Sequence, residues 1–237
     1  MRGGDQVSLD GAEGHHAAVV RRVGVGERVD LTDGAGHVAR CIVIAADRRG
    51  LTCEIQDRFD VPAPQPRLVA VQAVPKGERG EIAVETMTEV GVDEIVPWSA
   101  ARCVVRWKAE RATKALGRWR STAREAAKQS RRAWLPQVGE LASTRQVADR
   151  LREAALAVVL HEEASVGLGA IDLPDTGDVV VVIGPEGGVA PDELDTFAAA
   201  GAVAARLGPT VLRTSTAGTV AAGILLSRTR RWTPPLP

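Results

Sequence analysis

The chain has 237 residues, 30 basic and 30 acidic, so its formal net charge is zero. That length holds one large domain or two modest ones, and a hydrophobic share of 45% allows a sizeable core. The neutral balance argues against a protein coated throughout with nucleic acid. The three cysteines, Cys41, Cys53 and Cys103, match no zinc spacing and read as thiols of a reducing cytosol. No apolar signal-peptide core opens the chain and no apolar run is long enough to span a bilayer. The expectation is a soluble, cytoplasmic protein with neither a metal nor a membrane partner.

Residues 1–62 predict a small β-rich module. Short β-prone runs at 7–9, 28–31, 38–45 and 51–55 alternate with the turn signals Asp10-Gly11, Asp33-Gly34 and Arg49-Gly50. Asp-Gly between such runs is a hairpin signal, and strands at this spacing suggest a small barrel. Three prolines within residues 61–66 then predict a stiff linker.

From residue 67 to 237 the rhythm is β-α-β. Residues 67–74 predict an apolar strand. Residues 78–89 predict a helix on the spacing of Ile82, Val84, Met87 and Val90, with Gly91 as its C-terminal cap. A short strand at 94–97 precedes a long charged helix over 108–132, which Pro136 ends. A helix over 144–153 takes Thr144 as N-cap. Strands follow at 155–160, 179–183 and 203–207, with helices at 191–200, ended by Gly201, and from about 215 to 228. Such alternation predicts an α/β protein with a mostly parallel sheet and helices on both faces.

Two of the loops carry the strongest signal. Val179 to Ile183 reads as a fully buried strand, and Gly184-Pro185-Glu186-Gly187-Gly188 follows it directly before a helix. Strand, glycine loop and helix start make a ligand site at the C-terminal edge of an α/β sheet. The loop lacks the Lys and hydroxyl residue of a Walker loop and is not the dinucleotide Gly-x-Gly-x-x-Gly. Roughly twenty residues on, Leu207-Gly208-Pro209-Thr210-Val211-Leu212-Arg213-Thr214-Ser215-Thr216-Ala217 repeats the arrangement.

This pair of segments resembles the C-terminal motifs of SPOUT methyltransferases, in particular the RsmE-type family, which methylates N3 of a uridine in 16S ribosomal RNA. Lys76-Gly77-Glu78-Arg79, with Thr88-Glu89-Val90-Gly91-Val92, is similar to that family's KxxR and TELGV segments. Trp119-Arg120 and the run from Glu125 to Arg132 are similar to its EQSxR segment. Gly14-His15-His16 with Val20-Arg21-Arg22 resembles its N-terminal PUA-like barrel. Two departures stand out: the family's opening Arg-Phe strand has no counterpart before Asp5, and Thr86 stands where a Lys is common.

The resemblance implies a SPOUT domain with a trefoil knot over 67–237, a PUA-like RNA-binding barrel over 1–62, and a homodimer. It implies S-adenosylmethionine as methyl donor and 16S ribosomal RNA of the small ribosomal subunit as partner. It places the donor in three loops: Leu160, His161 and Glu162; Ile183, Gly184, Pro185, Gly187 and Gly188; Leu207, Gly208, Leu212 and Thr216. RNA contacts fall on Lys76, Arg79, Lys128, Arg131, Arg132, Arg21 and Arg22.

Uridine N3 carries a proton, so its methylation needs a base, or a group that stabilises the anion spread over O2 and O4. Arg213 is the candidate for the second role; the alternative is a structural Arg pairing with Glu186 or a helix end. Glu186 is either the base or a turn cap. His161 reads as loop support. Arg102, Arg106, Lys108, Arg111, Lys114, Arg118, Arg120, Arg124, Lys128, Arg131 and Arg132 lie close together, opposed only by Glu110 and Glu125. Such a face suits a polyanion, while the interleaved Trp107, Trp119 and Trp134 read as core. His15 and His16 have no third ligand spaced to join them in a metal site. The rival readings are a SPOUT enzyme of other specificity, such as ribose 2′-O-methylation, and a non-catalytic RNA-binding or ribosome-assembly factor.

Overall fold

A computed structural model describes residues 5–107 and 109–232; Lys108 of the predicted basic face lies outside them. A boundary between Ala63 and Pro64 separates two compact units. In the first, β1 (Gln6–Leu9), β2 (Arg28–Thr32), β3 (His37–Asp47) and β4 (Gly50–Asp60) form an antiparallel sheet in the order β1-β4-β3-β2. Inward-facing Cys41, Val43, Leu51 and Cys53 make its core. Burial pushes the Cys41 and Cys53 thiols up, so both are poor nucleophiles. Asp10-Gly11 does not turn a hairpin as predicted. It opens a short helix α1 (Gly11–His15) and a π-helical turn (His16–Val20). Gly14 packs so tightly there that a Cβ would lie 2.2 Å from the Leu9 carbonyl oxygen.

The second unit is the predicted α/β array. Its strands are β5 (Arg67–Ala73), β6 (Glu94–Trp98), β7 (Gln137–Val138), β8 (Leu156–Leu160), β9 (Asp178–Ile183) and β10 (Val203–Ala205). They form one parallel sheet in the order β10-β8-β9-β5-β6-β7. Helices α2 (Arg79–Val90), α3 (Ala109–Gln129) and α6 (Thr214–Leu226) cover one face; α4 (Thr144–Glu153) and α5 (Pro191–Ala199) cover the other. Burial on both faces explains the nearly unbroken apolar runs of β5 and β9. Leu68 and Ala70 pack towards Met87, Trp119 and Leu225, while Val69 and Val71 pack with Trp98, Leu151 and Phe197.

Gly91 caps α2 in the left-handed conformation, φ 108°, as its sequence position predicts. The cap of α4 is one residue earlier than predicted. Ser143 accepts from Gln146 N and Gln146 reaches back in a capping box, while Thr144 donates its hydroxyl to Glu193. Of the tryptophans expected in the core, Trp119 is fully buried and meets half-buried Trp107 edge to face at 5.1 Å, whereas half-buried Trp134 lies outside the two core clusters of this unit.

Charges close the N-terminal ends of the strands. Arg67, at the start of β5, bonds Glu94 at 2.6 Å and Asp178 at 3.0 Å. Burial opposes its charge, but the two carboxylates outweigh that and raise its pKa. Buried Asp93 accepts from Leu68 N at 2.8 Å, from Arg132 at 3.1 Å and from Arg231 at 2.7 and 3.0 Å. Arg132 also caps the carbonyls of Thr88 and Val92. This corrects the expectation that Arg132 faces RNA: it is turned inward, and burial pulls its pKa down despite Asp93.

Candidate active site

The opposite ends of the strands open into loops, and these enclose a cavity of about 310 Å³. Leu160 and His161 follow from β8, Ile183 to Glu186 from β9, and Leu207 to Arg213 from β10; Ala217 lies in the first turns of α6. Of the predicted donor residues, Leu160, His161, Glu162, Ile183, Gly184, Pro185, Gly188, Leu207, Gly208 and Leu212 line this one space, with Glu186, Arg213 and Arg79. Gly187 and Thr216 do not. The Gly187 carbonyl accepts from Arg102 at 3.2 Å, and exposed Thr216 belongs to the first turn of α6.

The glycines answer to different constraints. A Cβ on Gly184 would meet Val189 Cγ2 at 2.8 Å, and one on Gly187 would meet the Arg102 backbone oxygen at 3.3 Å. Gly188 adopts φ +72°, which L side chains avoid. Gly208 has no protein atom within 4 Å of a built Cβ, so no packing among the described residues demands glycine there.

The cavity suits an adenosyl donor. Leu160, Ile183, Leu207 and Leu212 give it apolar walls, and the loop backbones and a few charged groups supply polar atoms, the usual make-up of a small-molecule site. His161 braces its own loop, its ring Nδ1 accepting from Glu163 N at 3.3 Å and its backbone N–H donating to Ala205 O.

Glu186 is engaged. Its Oε1 accepts from Lys76 N at 3.2 Å and from Arg79 Nη1 at 3.4 Å, tying the loop after β5 to the loop after β9. Arg213 therefore does not pair with Glu186. It is exposed on the cavity wall, and among the described residues its guanidinium has no partner.

Three supports escaped sequence reading. Buried Glu193 accepts from Ala101 N, the Thr144 hydroxyl and Ala190 N, so it fixes both the start of α5 and the segment that carries Arg102. Arg102 was visible only as one charge in a basic run. Gln72, fully buried near the end of β5, donates to Thr214, which donates to Gly184. A Gln in an apolar strand was the available signal. Its Oε1 has no partner, an arrangement that costs about 1–3 kcal/mol.

The remaining predicted RNA residues are surface groups. Lys76 is exposed in the loop after β5. Lys128 pairs with Glu125 at 3.0 Å. Arg131 is exposed with φ 55°. Arg21 and Arg22 are exposed on the first unit. Part of the α3 face is self-neutralised, since Arg118 bonds Glu81 and Arg120 bonds Glu140.

Residues 62–226 match the RNA methyltransferase domain family and residues 9–56 the RNA methyltransferase PUA domain family. The chain is 50% identical over 228 residues to the ribosomal RNA small subunit methyltransferase E of Mycobacterium bovis, covering 94% of this chain and 87% of that one. It is 31% identical to the Bacillus subtilis protein of the same name, covering 89% and 85%. A crystal structure of a Neisseria gonorrhoeae ribosomal RNA small subunit methyltransferase E bound to S-adenosyl methionine superposes with a TM-score of 0.83. It is 26% identical and covers 96% of this chain and 93% of that one.

Proposed function

The chain belongs to the RNA methyltransferase family that includes ribosomal RNA small subunit methyltransferase E, and from that premise we propose that it methylates N3 of a uridine in 16S ribosomal RNA. S-adenosylmethionine, when bound, supplies an electrophilic methyl group. The chain's own contribution is placement: the loops after β8, β9 and β10 hold the donor, and bringing it and the base together removes much of the entropic barrier. Arg213 stabilises the uridine anion as N3 loses its proton, and the observation that carries this reading is its unpaired guanidinium on the wall of the glycine-rimmed cavity. Glu186, already holding Lys76 N and Arg79, acts as the loop's anchor.

Lys76, Arg79, Lys128 and Arg131 contact RNA phosphates from the catalytic domain, residues 67–237, and Arg21 and Arg22 from the PUA-like domain, residues 1–62. The catalytic domain is a trefoil knot, and the protein is a cytoplasmic homodimer. Ala217, Ala221, Ala222 and Leu225 of α6 are buried within the chain, which leaves half-buried Val220 and Ile224 for a twofold contact.

Mass spectrometry of nucleosides from 16S ribosomal RNA, from cells with and without the protein, tests the reading. Loss of N3-methyluridine is the expected result. Loss of a 2′-O-methyl nucleoside instead would assign the other specificity. Intact modification, with no S-adenosylmethionine binding in calorimetry, would leave a non-catalytic RNA-binding protein.

A further inference from the structure

Gln72 interrupts the apolar run of β5 and is 0% exposed. Strand alternation puts it with Leu68 and Ala70 on the face that α2 and α6 cover. Its Nε2 donates to Ala73 O at 3.0 Å and to Thr214 Oγ1 at 2.9 Å. The Thr214 hydroxyl passes the interaction on to the Gly184 carbonyl at 2.8 Å. One turn along α6, a Cβ on Gly218 would lie 2.6 Å from Met87 Sδ and 3.6 Å from Gln72 Oε1. The helix therefore packs tightly against Met87 with this amide in contact beside it, and Oε1 is left without a partner, unlike any other buried side-chain nitrogen or oxygen among the described residues.

An aliphatic side chain of the same length would fill this space without burying an orphaned oxygen. The amide's N–H groups are what an aliphatic chain lacks. They hold the Thr214 hydroxyl, which itself donates to Gly184 O; Thr214 and Gly184 line the cavity, while Gln72 does not. We infer that Gln72 is a positioning residue for the donor cavity: through Thr214 it ties the first glycine loop to the start of α6 and sets the spacing of the two loops. The inference rests on reading this cavity as the S-adenosylmethionine site.

Calorimetric titration of the full chain with S-adenosylmethionine tests it. Gln72→Met keeps the volume and removes both donors; donor affinity should fall about tenfold, the effect of one buried hydrogen bond. Thr214→Val breaks the same link and should give a similar loss, whereas Thr214→Ser keeps the hydroxyl and should stay close to wild type. In the double variant Gln72→Met, Thr214→Val the losses should not multiply, because both act through one link. RNA affinity should be unchanged throughout. Wild-type donor affinity in folded Gln72→Met, or losses that multiply in the double variant, would overturn the inference. If Gln72→Met does not fold, the Thr214 pair decides, since equal donor affinities in Val and Ser variants overturn it. Failure of the wild-type chain to bind the donor would remove the proposed function as well, whereas normal binding by every variant removes this inference alone.

Discussion

The two ends of the parallel sheet are built on opposite rules. At the N-terminal ends of the strands, every charge described above is matched: Arg67 with Glu94 and Asp178, Asp93 with Arg132 and Arg231. At the C-terminal ends, glycine loops frame a cavity, and Arg213 stands beside it without a partner. One end spends its charges on closing the fold. The other keeps a charge unspent, and an unmatched cation beside an apolar cavity is what a developing anion needs. The placement of ligands outside the carboxyl ends of parallel strands thus has an electrostatic counterpart at the opposite edge.

Breaking the matched end should give the largest effect. Asp93→Ala leaves two nearly buried guanidiniums facing each other and should cost about 3–5 kcal/mol of stability, read from urea unfolding. A loss under about 1 kcal/mol would show that the cluster is no stronger than a surface pair. Arg213→Ala should do the reverse, leaving the urea midpoint unchanged while single-turnover methylation slows about a hundredfold. Lys in its place should restore only part of the rate, lacking the planar fork. A normal rate would take Arg213 out of the chemistry.

The glycines sharpen the contrast within the open end. Gly188→Ala should lose about 1–2 kcal/mol of stability, because φ +72° is strained for alanine. Gly208→Ala should leave stability alone and weaken only donor binding, and equal stability losses at the two sites would erase the distinction. The smallest effect separates neighbours. Arg131→Ala should lower the salt slope of RNA binding by about one unit at unchanged stability. Arg132→Ala should destabilise the fold instead, and a shared salt-slope effect would put both on the RNA face.

Much of this was legible along the chain. Period and punctuation located five of the six strands of the α/β unit and the Gly91 cap, because those signals are local; the two-residue edge strand β7 is too short to show a period and was missed. The glycine loops announced the cavity because strand, turn and helix start are contiguous at Ile183 and again near Leu207. What stayed hidden depends on partners far away in sequence. Arg132 reads as one more cation of a basic run until Asp93 and Arg231 are brought to it. Ser143 lost the cap to Thr144 on paper because both are good capping residues, and only Glu193 reveals that Thr144 is occupied elsewhere. Asp10-Gly11 has the chemistry of a hairpin turn, but the close approach of Gly14 to Leu9 selects a helix. Gln72 looked like an exception in an apolar strand, and its link to Gly184 through Thr214 spans 142 positions at its first step.

The insertion of β9 between β5 and β8 carries a kinetic consequence. β5 and β9 lie side by side in the middle of the sheet, with Arg67 opposite Asp178 and Gln72 opposite Ile183, so the central pairing joins segments more than a hundred positions apart. Loop closure over that distance comes before the contacts that reward it, and such topologies fold slowly. β5 and β6 are joined through one helix, so their pairing is expected first. The slot beside β5 is expected to fill only when β9 arrives, and the donor loop that follows β9 to take its shape then. Refolding followed by S-adenosylmethionine binding should therefore lag behind refolding followed by helix content.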